Sequence, residues 1–119
     1  MYDHIGLKVK DIAASVRFYE AALGGLGYVL CSSDASSAGL GPKGEPALWL
    51  YLAKGAKGSS HLAFRADDRA GVDRFFKAGI QAGGRDNGAP SVRADYSPKY
   101  YAAFLIDPDG NNVEAVCLR

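Results

Sequence analysis

The sequence contains little cysteine, no excess of charge of either sign and no long apolar run. Its 119 residues include two cysteines, 14 basic and 13 acidic residues, for a formal net charge of +1. Two cysteines form no disulfide framework, so we expect free thiols, a reducing compartment and a cytoplasmic protein. We expect no membrane association, because no run approaches the roughly 18 apolar residues that span a bilayer and no signal peptide is apparent. The balanced charge argues against a nucleic-acid partner.

What the sequence does contain is an internal repeat. Residues 4–11, HIGLKVKD, correspond to residues 61–68, HLAFRADD, at an offset of 57, so that His4 matches His61. Two copies of this length nearly fill the chain, which is too few for a solenoid. We therefore predict a single domain of two similar modules related by a pseudo-twofold axis, at about 1–58 and 59–119.

The sequence pattern of each module predicts one strand, then one helix, then three further strands. Residues 5–9 alternate between apolar and other side chains, which is the period of a strand with one buried face. We expect Asp11 and Asp68 to cap the following helices, and Gly24–Gly25 and Gly83–Gly84 to end them with a left-handed residue. Further strands are predicted at 28–31, 37–40, 47–52, 90–93, 100–106 and 112–118, and the rest of 84–100 as a loop. The fold class is α+β, with the pattern βαβββ twice.

The two histidines of the chain, His4 and His61, occupy the same position in the two modules. Each lies on the strand face opposite the apolar residues, so a pseudo-twofold axis brings both imidazoles together, and neutral imidazole is a good metal ligand. Glu114 is the only charge inside the apolar last strand, where an inward carboxylate is costly unless it is paired or coordinated. Two histidines and one carboxylate leave positions open for water and substrate, as in a catalytic site. Structural histidines and a solvent-facing Glu114 are the alternative.

Aromatic and basic residues are the candidates for contact with a substrate. The fourth strand of module one has no carboxylate, and it places Trp49 and Tyr51 on the face opposite its leucines. They either line the cavity, with the Tyr51 hydroxyl as a hydrogen-bond donor, or are plain packing aromatics. The 84–100 stretch carries Arg93 and Tyr96. It is either a loop that binds an anionic or aromatic ligand at the mouth of the site or a solvated connector.

Several motifs together resemble the vicinal oxygen chelate superfamily. They are the histidine-initiated first strand, the second strand His-Leu-Ala-Phe and the ending Asp-Pro-Asp-Gly-Asn-Asn-Val-Glu-Ala-Val. The superfamily includes glyoxalase I, the fosfomycin resistance enzymes, extradiol dioxygenases and bleomycin resistance proteins. The resemblance implies paired modules in a curled mixed sheet that encloses a cleft, with a divalent metal (Zn, Ni, Mn or Fe) held by His4, His61 and Glu114. It also implies a homodimer.

The resemblance further implies a small metal-dependent enzyme whose small-molecule substrate offers vicinal oxygens. The three-ligand set is more similar to that of the fosfomycin resistance enzymes than to glyoxalase I, so lyase, isomerase or thiol-transfer chemistry is expected. The resemblance directs Tyr100 and Phe104 toward the cleft, whereas a one-residue shift in the hairpin register would place Tyr101 there instead. The candidate catalytic residues are Glu114, Tyr51 and Tyr100, and the candidate substrate-binding residues are Trp49, Phe104, Arg93 and Tyr96. Two alternatives stay open: a non-catalytic protein that binds or sequesters an aromatic or drug-like compound, and a dioxygenase.

Overall fold

A computed structural model describes residues 1–119, and it contains two successive βαβββ modules. Module one consists of β1 (Ile5–Val9), α1 (Ile12–Gly24), β2 (Val29–Ser33), β3 (Ser37–Gly41) and β4 (Leu48–Leu52). Module two consists of β5 (His61–Arg65), α2 (Arg69–Gln81), β6 (Arg85–Val92), β7 (Tyr101–Ile106) and β8 (Asn112–Cys117). Neither helix is long and apolar enough to cross a membrane. The repeated element order confirms the predicted α+β fold.

Each module forms its own four-stranded mixed sheet, and the two sheets do not close into one. The strand orders are β1-β4-β3-β2 and β5-β8-β7-β6. β1 runs parallel to β4 and β5 runs parallel to β8, whereas the other neighbouring strands are antiparallel. The equivalent registers place Gly6 opposite Trp49 in module one and Ala63 opposite Glu114 in module two. The first and last strands of each module are therefore neighbours, although they are far apart in sequence.

Both helices begin at the aspartates predicted as caps. Asp11 and Asp68 each accept a hydrogen bond from the backbone N–H three residues later, at 3.1 and 2.7 Å. Each bond satisfies one of the free N–H groups of a first helical turn. After α2, Gly83 has the predicted left-handed conformation, with φ +101°. For α1 the prediction is wrong, because Gly25 is right-handed and the left-handed residue is Gly27.

One hydrophobic core lies between the helices and the sheets. α1 packs on β2, β3 and β4, α2 packs on β6, β7 and β8, and the two helices pack on each other. The largest fully buried side chains of this core are Tyr19, Phe18, Phe75 and Leu23. Gly79 allows α2 to approach its sheet closely, because a Cβ there would lie 2.3 Å from Cδ1 of Leu105. The opposite face of each sheet is thereby left uncovered by helices.

The turn between β7 and β8 joins module two to α1 of module one. Asp109 accepts hydrogen bonds from the backbone N–H of Lys10 (2.9 Å) and from the hydroxyl of Ser15 (3.3 Å). Asp107 accepts one from the hydroxyl of Tyr19 (2.5 Å). Both aspartates are buried, and burial together with the Asp107 charge raises the pKa of Tyr19. The Asp-Pro-Asp-Gly turn therefore also holds the two modules together.

β6 occupies much of a stretch that we predicted as a loop. The sequence indicated only a weak strand at 90–93, whereas the strand spans residues 85–92 and pairs with β7. Its register shifts on both sides of Gly88, which has φ +148°. Such shifts interrupt the two-residue alternation by which a strand is identified, so the sequence pattern missed this one.

Candidate functional site

Each sheet has one face against a helix and one face directed away from it. In module two, Leu62, Val113 and Ala115 are buried in the core. Since successive strand residues point to opposite sides, their neighbours His61 and Glu114 lie on the other face. We call this the open face of module two, and the corresponding face of the first sheet the open face of module one.

His61 and Glu114 are in direct contact on the open face of module two. Nε2 of His61 lies 3.0 Å from Oε1 of Glu114, and only 3% of the glutamate side chain is exposed, against 51% for the histidine. Nδ1 of His61 lies 3.1 Å from the carbonyl oxygen of Asn112. A carbonyl only accepts hydrogen bonds, so Nδ1 carries a proton and the other ring nitrogen faces the carboxylate. Because neither Nε2 without a proton nor a carboxylate oxygen is a donor, the contact requires either one proton between the two atoms or a metal ion in its place.

The pair has the chemistry and the spacing of two metal ligands. Imidazole and carboxylate donors together suit Zn, Ni, Mn and Fe. Nε2 of His61 and Oε1 of Glu114 converge to within 3.0 Å, so the two side chains would be able to hold one divalent ion between them. The hydrogen bond to the Asn112 carbonyl fixes the imidazole ring in the way that histidine ligands are commonly oriented.

Tyr100 holds the second oxygen of the carboxylate. Its hydroxyl donates a hydrogen bond to Oε2 of Glu114. Burial, followed by this hydrogen bond, raises the pKa of Tyr100 to about 12. The hydroxyl therefore keeps its proton at neutral pH and is a donor rather than a base. Tyr96 packs edge-on against the Tyr100 ring, with 5.0 Å between the ring centroids.

Phe104 lies beside the pair and also contacts Arg93. It is the cross-strand neighbour of Glu114 in β7 and β8. Its ring is stacked on the His61 imidazole, with 6.4 Å between centroids and 22° between planes. The guanidinium carbon of Arg93 lies 5.0 Å from the Phe104 centroid, within the range of a cation–π contact. The open face of module two thus brings together most of the side chains that the sequence analysis singled out in this module.

The open face of module one is lined by aromatic rings. Trp49 and Tyr51 are stacked, with 6.4 Å between centroids and 15° between planes. Tyr51 covers Gly6, where a Cβ would lie 3.1 Å from its ring, and Trp49 covers Gly39, where a Cβ would lie 2.9 Å away. The two glycines let both rings lie flat on the sheet. They form an aromatic wall in which Trp49 is partly buried and Tyr51 is exposed.

His4 does not join the His61–Glu114 pair within the chain. Its side chain is 54% exposed, and its Nδ1 lies 2.6 Å from Oδ1 of Asp3. No three His, Cys, Asp or Glu side chains of the chain are grouped closely enough to hold one metal ion. A cavity of about 300 Å³ between the modules is lined by His4 and mostly apolar residues, but by neither member of the pair. The chain therefore carries two metal-ligand candidates in module two and a separate histidine in module one.

Two contributors to this site were not predicted. The Asn112 carbonyl orients His61 because the parallel register of β5 and β8 places the two residues side by side, and no sequence motif marks a backbone carbonyl. Gly88 leaves room for Arg93, since a Cβ there would lie 2.7 Å from Nη2 of the arginine. A glycine within a strand is a signal of close approach, but β6 itself was not fully recognised.

Comparison with known proteins finds similar sequences and folds. The profile of a family described as glyoxalase-like domain matches residues 4–116. A glyoxalase/bleomycin resistance protein from Albidiferax ferrireducens T118 is 30% identical, with a TM-score of 0.87 and 98% of each chain covered. A glyoxalase-related enzyme from Fulvimarina pelagi is 19% identical, with a TM-score of 0.75 and 98% of this chain and 87% of that chain covered. A glyoxalase/bleomycin resistance protein/dioxygenase family enzyme from Burkholderia phytofirmans PsJN is also 19% identical, with a TM-score of 0.73 and 98% of each chain covered. No functionally curated protein matches significantly.

Proposed function

We propose that this chain, which belongs to the glyoxalase-like domain family, is a small metal-dependent enzyme acting on a small molecule with vicinal oxygens. Family membership places it in the vicinal oxygen chelate superfamily, as its sequence motifs indicated. The reaction that we propose is of the lyase, isomerase or thiol-transfer type. The observation that carries the proposal is the 3.0 Å contact between Nε2 of His61 and Oε1 of Glu114.

Each side chain has a distinct part in this proposal. His61 and Glu114 bind a divalent ion (Zn, Ni, Mn or Fe) together with a His4 side chain. The bound ion supplies Lewis-acid polarisation of the vicinal oxygens. Tyr100 orients the carboxylate as a hydrogen-bond donor, and its hydroxyl keeps its proton because its pKa is raised to about 12. Phe104 packs on the imidazole and excludes water from one side of the site.

Elemental analysis of protein purified without an affinity tag tests the metal centre. We expect about one divalent ion per chain, as for a catalytic site with three protein ligands. The metal should be lost in His61→Ala and Glu114→Gln and retained in the control Glu20→Gln, whose side chain is exposed on α1. A wild type without metal, even after reconstitution with Zn, Ni, Mn and Fe in turn, would refute the proposal and leave the pair with a structural role only.

We infer that a second copy of the chain supplies His4. The inference is supported by the absence of His4 from the pair within one chain and by the aromatic wall of Trp49 and Tyr51, of which Tyr51 is exposed. Aromatic residues are enriched where protein surfaces meet. In a symmetric dimer, His4, Trp49 and Tyr51 of one chain would face His61 and Glu114 of the other, twice. Tyr51 would then be the remaining candidate for proton donation to the substrate.

Mixed dimers test this inference directly. A His4→Ala homodimer and a His61→Ala homodimer each have two damaged sites. If each site is shared between chains, a mixed dimer of the two variants has one intact site and one doubly substituted site. We therefore expect metal binding to return in mixed dimers isolated through a cleavable tag on one variant. Mixed dimers that stay metal-free would show that the site lies within one chain.

A non-catalytic binding protein is the second candidate function. The observation in its favour is the aromatic cluster beside the pair, where Tyr96 meets Tyr100 edge-on and Phe104 lies nearby. This candidate predicts that a planar aromatic compound binds equally well before and after metal chelation, as measured by fluorescence titration. Loss of binding on chelation would argue for the metal centre instead. Iron as the bound metal in the elemental analysis would favour the dioxygenase alternative.

A further inference from the structure

Arg93 is a half-buried cation without a counter-ion. Its Nε is buried and makes no hydrogen bond, and it is the only buried side-chain nitrogen or oxygen of the chain in that condition. Its Nη2 reaches only the carbonyl oxygen of Ala89, at 3.5 Å. The three close contacts between basic and acidic side chains in the chain involve other residues. Buried polar groups of folded proteins are normally hydrogen-bonded, so an exception of this kind requires an explanation.

The chain makes specific room for this guanidinium. Gly88 has φ +148°, a conformation that other residues rarely adopt. A Cβ at this position would lie 2.7 Å from Nη2 of Arg93 and 3.0 Å from Cδ1 of Phe104. A side chain at position 88 would therefore displace the arginine from the aromatic ring. The contact between Arg93 and Phe104 thus depends on a glycine within β6.

The ring of Phe104 contacts both the Arg93 guanidinium and His61 of the His61–Glu114 pair. The ring is stacked on His61, and its centroid lies 5.0 Å from the guanidinium carbon of Arg93. The only carboxylate of β6, that of Asp86, accepts a hydrogen bond from the backbone N–H of Gly88 (2.8 Å) and makes no ion pair with Arg93. The positive charge of Arg93 is therefore not neutralised from within β6.

We propose that Arg93 binds an oxyanion group, a carboxylate or a phosphoryl group, at the end of the substrate remote from the vicinal oxygens. A guanidinium that packs on an aromatic ring still has its N–H groups, which lie in its own plane, available as donors. Such a group binds a carboxylate or a phosphoryl group through charge-assisted hydrogen bonds, often two in parallel. Of the three guanidinium nitrogens, only Nη2 makes a hydrogen bond, and only Nε is buried without a partner. The position of this anion site relative to the reacting end rests on the proposed function, whereas the anion site itself does not.

A titration of metal-free protein tests the anion site alone. The Nε–H resonance of Arg93 is assigned in a ¹⁵N spectrum by its loss in Arg93→Lys. Acetate and inorganic phosphate are then added separately, and the anion that saturates at lower concentration identifies the preferred group. We expect the Arg93 resonance to shift before that of Arg85, an exposed arginine at the other end of β6. No shift with either anion, or equal shifts at both arginines, would overturn the proposal.

A calorimetric comparison on metal-loaded protein tests the link to the substrate. The probes are 2-oxoglutarate and 2-oxopentanoate, which share a 2-oxo acid end and differ in the distal carboxylate. We expect 2-oxoglutarate to bind about tenfold or more tightly, as for a charge-assisted hydrogen bond. Arg93→Gln should abolish the preference, Arg93→Lys should keep part of it, and Arg85→Gln should keep all of it. If the protein binds metal but Arg93→Gln still prefers 2-oxoglutarate, the proposed anion site is wrong and the metal centre is unaffected. If the protein binds no metal, the titration of metal-free protein still tests whether Arg93 binds an anion.

Discussion

Replacing Tyr19 with phenylalanine is expected to weaken the junction between the two modules. The change removes the hydroxyl that donates to Asp107 at 2.5 Å and leaves the fully buried ring in place. A hydrogen bond to a charged group contributes about 1.5–3 kcal/mol. Asp107 keeps three other donors, the backbone N–H groups of Asp109 and Asn111 and the Asn111 side-chain amide. We therefore expect Tyr19→Phe to lower the free energy of unfolding by about 1.5–3 kcal/mol.

Asp107→Asn should be more damaging than Tyr19→Phe. In asparagine an NH₂ group replaces one of the two acceptor oxygens of Asp107. This donor would then face the N–H or O–H donors that contact that oxygen, so their hydrogen bonds would be lost. Breaking a buried charged interaction by changing one partner costs about 3–5 kcal/mol. The effects of the two substitutions should not be additive, because Tyr19→Phe lowers the free energy of unfolding by less in a protein that already lacks the Asp107 charge.

Urea unfolding followed by circular dichroism, at one protein concentration, measures both effects. Tyr101→Phe is the matched control, since its hydroxyl also donates to a carboxylate, Asp73 at 2.6 Å, but at the surface, where such contacts contribute less than about 1 kcal/mol. Because burial raises the pKa of Tyr19, its contribution is complete below about pH 10 and is lost as the pH rises further. A Tyr19→Phe effect no larger than the control, or strict additivity with Asp107→Asn, would refute the reasoning.

Three further results are expected. Tyr100→Phe should weaken metal affinity by about 10–100-fold, because outer hydrogen bonds orient ligands; a competition assay with a chelating dye that finds equal affinities would contradict this role. Gly79→Ala should lower the free energy of unfolding by about 1–3 kcal/mol, since its Cβ would lie 2.3 Å from Cδ1 of Leu105. Gly24→Ala is the control, because a Cβ at position 24 would have no atom within 4 Å, and it should not lower the free energy of unfolding in the same urea assay. Equal losses of stability in the two variants would argue against close packing of α2 on its sheet at Gly79. Metal at 100 times its Kd should raise the unfolding free energy by about 2.7 kcal/mol, and a chelator that leaves the melting temperature of metal-loaded protein unchanged would count against the metal centre.

The sequence predicted those parts of the fold that local patterns determine. Asp11 and Asp68 cap their helices because a short acceptor before a periodic apolar segment suffices to begin a helix. The βαβββ repeat was recognisable because both first strands alternate with period two. β6 was recognised only in part, because its register shifts around Gly88 remove that alternation.

The arrangement of the site could be predicted only in part, because local patterns determine some of its contacts and not others. Strand alternation places His61 and Glu114 on one face, and their contact then follows from the register of two parallel strands. Where His4 lies relative to them depends on how two modules pack, and no local pattern encodes that packing. The burial of Asp107 is a similar case, since the motif indicates a turn but not the helix against which the turn packs.

The strand orders have a consequence for how the protein behaves at high concentration. β1, β2, β5 and β6 each end a sheet, and a strand with one unpaired side is a template for aggregation between chains. β2 and β6 are irregular in register, and β6 contains Pro90, which cannot donate to a neighbouring strand. β1 and β5 are regular, and their protection comes from the charges of Lys8 and Arg65. Apolar replacements of these two residues should therefore favour fibrous or amorphous precipitation even where the folded state keeps its stability.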